Sequence, residues 1–102
     1  MEDQDRRYAA IAALADLHGW LKGYATNQGY LENAIAQLRD PELTEEGRER
    51  LRQLLSRDGM FHIKWLGDCY VEGFPVDKGL NPYASWLNYL SEVLNICQEA
   101  LK

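Results

Sequence analysis

Apolar residues recur at alternating spacings of four and three along the last stretch of the chain: Tyr83, Leu87, Leu90, Leu94, Cys97 and Leu101. This is the seam of an amphipathic helix, and Ser85, Asn88, Ser91, Glu92, Asn95, Gln98 and Glu99 fall on the opposite side. Asn81 has the side chain of an N-cap. Pro82 fits the first turn, where its missing N–H costs nothing. The spacing therefore predicts a final helix from Pro82 to Leu101.

The same reading taken from the start predicts a helix from Gln4 or Asp5 to about Ala25. Leu14, Leu17, Leu21 and Tyr24 form its main face, with Ala10 and Ala13 beside them. Thr26-Asn27-Gln28-Gly29 has the composition of a helix stop. Leu31, Ile35 and Leu38 nonetheless continue the register set by Leu17, Leu21 and Tyr24. One long helix through Gln28 and two helices joined by a turn both fit the pattern. Asp40-Pro41 ends this region, because proline drives its neighbour out of the helical conformation. Thr44 then caps a further helix carrying Leu51, Leu54 and Leu55, with Glu45 and Glu46 in its first turn, where the dipole favours acids. Ser56-Arg57-Asp58-Gly59 reads as a break. About residues 60–72, Phe61, His62, Ile63, Trp65, Leu66, Cys69 and Tyr70 make the sequence apolar nearly all round, which predicts a central buried helix. Residues 73–82 form a long loop, with Phe74 and Val76 expected to pin it to the core. No stretch alternates as a strand does. The expected fold is all-α, a compact bundle of four to five antiparallel helices in a single domain over residues 1–102, with residues 1–4 frayed.

Composition sharpens this picture. The chain has 102 residues and a formal charge of −5, with 46% apolar and 26% charged residues. That size suits one core. No run approaches the roughly 18 apolar residues of a membrane span, and no basic and apolar leader opens the chain. The acidity argues against binding nucleic acid or an anionic membrane through overall charge, and toward a basic surface on another protein. A cytoplasmic protein with reduced core cysteines is expected, because Cys69 and Cys97 are far apart and both fall on apolar faces.

Candidate chemistry is sparse. His18, His62, Cys69 and Cys97 are the right residue types for zinc, but no pair has the short separation that structural sites use, so neither a metal nor another cofactor is expected. The serines lie in no nucleophile motif, and the glycines are too scattered to cradle a phosphate. Asp68 and Glu72 would share a helix face. The arginines Arg39, Arg48, Arg50, Arg52 and Arg57 are interleaved with glutamates, as on a salt-bridged exposed helix. Leu66-Gly67, Tyr70, Gly73, Val76 and Trp86-Leu87 resemble the helix-loop-helix of a tetratricopeptide-related Sel-type repeat. The resemblance covers about a third of the chain and departs at Pro75, Gly79 and Tyr83. It implies protein–protein binding.

Two faces exceed what a fold requires. Trp86, Tyr89, Val93 and Ile96 widen the apolar arc of the last helix beyond the stripe a helix needs for packing, so either other helices of the domain or a partner covers it. Ala12, Ala15, Gly19 and Gly23 form a smooth strip on the first helix, although each internal glycine costs roughly 1 kcal/mol against alanine. The sequence thus points to a non-enzymatic protein-binding module that blocks a site on a partner, in the style of bacterial or phage inhibitors, immunity proteins and anti-defence factors. A homodimer through the same faces is a further expectation. The alternatives are a secretion chaperone or adaptor built on the Sel-type unit, and a small enzyme or ligand binder using His62, Asp68 and Cys69.

Overall fold

Asn81 caps the last helix as its side chain suggests: its Oδ1 accepts the Ala84 N–H at 2.7 Å. That helix, Pro82–Ala100, is the last of four α-helices in the computed structural model, which describes residues 3–76 and 78–102. The others are α1 (Asp3–Trp20), α2 (Ala25–Arg39) and α3 (Glu45–Leu54), so the final helix is α4. A short 3-10 turn, Leu66–Asp68, lies between α3 and α4. The described residues include no strand. The fraying expected of residues 1–4 falls partly outside the described residues, and Asp3 and Gln4 belong to α1.

The core follows the helical seams. Leu14 and Leu17 of α1, Leu31 and Leu38 of α2, Leu51 of α3 and Leu90 and Leu94 of α4 are buried in one cluster. α1 packs against both α2 and α4 and is the central helix. The arc on α4 is wide because the fold covers much of it: Trp86 and Val93 are each 3% exposed.

The α1–α2 boundary differs from the expected stop. The chain turns at residues 21–24, and Thr26, Asn27, Gln28 and Gly29 form the start of α2. Their polar side chains make tertiary pins instead of a turn. Gln28 Nε2 donates to the His18 carbonyl at 3.0 Å, beside the Leu21 N–H that reaches the same oxygen at 3.2 Å at the end of α1. His18 itself meets Glu32 at 2.8 Å, so the two helices are tied twice beside the turn.

The predicted central helix at about residues 60–72 does not form. Residues 55–65 run in successive turns, in which Met60 N–H bonds to Leu54 O at 2.8 Å and Leu66 N–H to Met60 O at 3.0 Å. Glycines flank the stretch, and Phe61, Ile63 and Trp65 are poor helix formers. His62 Nδ1 also accepts the Lys64 N–H at 3.0 Å, a local bond that competes with a helical ladder. The irregular backbone still delivers Leu55, Met60, Phe61, Leu66 and Cys69 to the core, while His62 and Ile63 face outward. The apolar composition reflects a chain segment laid across the core, where side chains enter it without helical periodicity.

Candidate functional site

Four aromatic rings form a cluster, two of which, Phe74 and Trp86, line the most distinctive surface feature. Gly73 has a φ of +79°, a conformation that needs no Cβ, and the turn it makes sends Phe74 inward. The Phe74 ring meets Trp20 edge-on at 5.0 Å and Trp86 edge-on at 5.1 Å, and it lies at 5.1 Å from Tyr89. Such geometry matches the ring quadrupoles. Trp86 is fixed further by its Nε1–H, which donates to Leu66 O at 2.9 Å. Tyr89 donates to Asp16 Oδ2 of α1 at 2.5 Å. Burial first, and the adjoining Asp16 carboxylate second, hold the Tyr89 hydroxyl protonated well above the usual phenol range. Val76, expected beside Phe74 in the core, is instead 52% exposed.

Over Phe74 and Trp86 lies an open groove of about 500 Å³, bounded by Cys69, Tyr70, Val76, Pro82 and Tyr83. Tyr70 is 76% exposed and Tyr83 53% exposed. Yet the Tyr70 backbone is held on both sides. Its N–H donates to the Tyr24 hydroxyl at 2.7 Å, and that hydroxyl donates to the Tyr70 carbonyl at 3.3 Å. The preceding residue is tied as well, because Asn27 Nδ2 donates to Cys69 Sγ at 3.5 Å. An exposed ring thus stands on an immobilised backbone.

Tyr70 and Val71 also form one wall of a second groove of about 500 Å³, which includes Gly19, Gly23 and Lys22. The expected strip is open but is not carried by one helix, because α1 ends at Trp20 and Gly23 lies in the turn after it: Ala12, Ala15, Gly19 and Gly23 are exposed, and nothing lies within 4 Å of a Cβ placed on Gly19 or Gly23. Gly19 and Gly23 on one groove and Tyr83 and Trp86 of α4 on the other, far apart in sequence, are linked by the Tyr70 and Val71 that both grooves share. Of the four arc residues, Trp86 and Val93 are core, Tyr89 is half-buried, and Ile96 is 37% exposed.

The other candidate residues are dispersed. His62 lines a separate groove with Arg57, Asp58 and Phe61, whereas Cys69 lines the aromatic one. Asp68 is exposed. Burial raises the Cys69 thiol above its ordinary value, the Asn27 amide opposing and Asp68 adding to the shift, which leaves it a poor nucleophile. Cys97 is fully buried, and burial pushes its thiol up to about 12. Both cysteines are free. Among the described residues no group of three or more His, Cys, Asp or Glu side chains could hold a metal ion. The described helices include none long and apolar enough to cross a membrane.

Two arginines of α3 have structural work. Arg52 turns its guanidinium onto the Leu101 carbonyl, with Nε at 3.1 Å and Nη2 also bonded, and Arg48 Nη1 reaches Lys102 O at 3.1 Å. These cations cap the negative end of α4.

Sequence reasoning placed Tyr70 and Tyr83 on helix seams and so missed the groove they flank. The available signal was aromatic density beside a loop punctuated by Gly73, Pro75, Gly79 and Pro82. No family model, curated protein or solved structure matches this chain.

Proposed function

We propose that the chain is a non-enzymatic protein-binding module that covers a site on a partner, as an inhibitor or immunity-type protein does. One observation carries this reading: the Tyr70 ring is 76% exposed while its backbone is clamped by Tyr24, and a groove opens on each side of it. Tyrosine is a frequent anchor at interfaces, and a fixed backbone lowers the ordering cost of binding. The helices serve as the scaffold, which we read as an antiparallel bundle. Two free thiols suit a reducing cytoplasm.

The test is affinity capture from the cells that make the protein, using wild type and a Tyr70→Ala/Tyr83→Ala variant shown to be folded by circular dichroism. A protein retained in stoichiometric amount by wild type and lost by the variant is the expected result. Retention by both would move the binding surface elsewhere and overturn the assignment to Tyr70. No stoichiometric partner for either would overturn the binding reading itself.

A further inference from the structure

The groove between Tyr70 and Tyr83 has a chemistry that selects its occupant. Its rim is mostly aromatic and aliphatic, and among the described residues no charged side chain lines it. Two acidic residues are chain neighbours of residues that line it. Asp68 and Glu72 bracket Tyr70 in the chain, and both are exposed. Among the described residues neither belongs to an ion pair; the pairs there are His18–Glu32, Arg52–Glu49 and Lys102–Glu99. Residues 65–76 contain no Lys, Arg or His. Lys22 lies with Glu72 on the neighbouring groove without pairing with it, and Lys78 is exposed on the turn at Gly79.

We propose that this groove holds a short extended segment of another protein, with one large apolar side chain seated between Tyr70 and Tyr83 and a Lys or Arg against Asp68 and Glu72. The inference rests on the protein-binding reading above and names the class of partner. Two considerations separate this occupant from others. A second copy of this chain carries the same charge of −5 and would set like carboxylates against each other. Nucleic acid requires phosphate-binding cations, which the rim lacks. An apolar anchor flanked by a cation satisfies both parts of the surface: aromatic faces for burial and for cation–π contact, and two free carboxylates for charge.

The experiment is selection of a phage-displayed random dodecapeptide library on the wild-type protein, followed by fluorescence anisotropy with the synthetic form of the most enriched peptide. Enriched sequences should combine an aromatic or branched aliphatic residue with Lys or Arg. The selected peptide should lose about tenfold or more in affinity on Tyr83→Ala, a solvent-facing change that leaves the core intact. It should lose several-fold on Asp68→Asn/Glu72→Gln and on raising the salt concentration. Failure to enrich, enrichment of acidic sequences, equal binding by a scrambled peptide, or indifference to both sets of substitutions would each overturn the proposal. So would a concentration-dependent dimer in sedimentation velocity that Tyr83→Ala abolishes, since a second copy would then fill the groove. If peptide selection fails while the whole protein still captures a partner through Tyr70, the binding reading stands and only this occupant is wrong.

Discussion

Trp65 Nε1 donates a 2.9 Å hydrogen bond to Asn27 Oδ1, across a sequence separation of 38 residues. The other end of the same amide reaches Cys69. One side chain on α2 therefore holds both ends of the turn that precedes Tyr70, and it substitutes for the helical ladder this segment lacks.

Asn27→Ala should destabilise the protein by about 1–2 kcal/mol, because it strands a half-buried indole N–H and frees the Cys69 thiol. Urea unfolding measures this. Asn27→Asp keeps the acceptor for Trp65 and should recover part of the loss. A neutral Asn27→Ala would mean that the segment is held by its apolar contacts alone.

Arg52→Ala should cost about 1–2 kcal/mol by uncapping the α4 carboxyl end. Arg52→Lys should restore only part of that, since an ammonium does not reproduce the guanidinium fork. The difference between wild type and Arg52→Ala should shrink at high salt, as thermal melts at two ionic strengths would reveal.

Two glycines should respond in opposite directions. Gly19 lies inside α1 with open space around it, so Gly19→Ala should stabilise by about 0.5–1 kcal/mol. A Cβ on Gly59 would come within 2.3 Å of Leu54 O and 2.4 Å of Gln53 O, where the chain folds back over the end of α3. Gly59→Ala should therefore destabilise by about 1–3 kcal/mol. Melting temperatures moving the same way for both would contradict this assignment of space.

Tyr89→Glu and Ile96→Glu should separate the two halves of the α4 arc. Tyr89→Glu removes the ring packed on Phe74 and Trp86 and places a carboxylate beside Asp16, at a cost of about 2–4 kcal/mol. Ile96 is exposed, so Ile96→Glu should change stability by less than about 0.5 kcal/mol. A strongly destabilised Ile96→Glu would place that side chain in the core.

Alkaline pH should weaken the fold through Cys97. The unfolded thiol ionises near its ordinary 9.0, whereas burial holds the folded thiol neutral up to about 12. Ionisation thus favours the unfolded chain between these values. The contribution is complete below pH 9.0 and falls away as pH rises toward 12. Tyr89, shifted in the same direction, adds to the loss. Chemical unfolding across this range should show a shallower decline for Cys97→Ala than for wild type.

Local chemistry determined the starts of α3 and α4. Thr44 and Asn81 cap through bonds that span three residues, and the seams of Leu51, Leu90 and Leu94 repeat within single helices, so short windows of sequence contained both. All-helical character was legible for the same reason. The α1–α2 boundary was not, because Asn27 and Gln28 are turn formers by composition and helix residues by partnership, and their partners lie elsewhere in the fold. Nor was the state of residues 55–72. Apolar composition there signals burial but leaves the backbone open, and bonds from Asn27, Tyr24 and Trp86 select turns over a helix. The groove at Tyr70 is the consequence. Periodicity assigns a side chain to one face of its own element, whereas a surface made by a loop, two helices and an irregular segment exists only once long-range packing has brought them together.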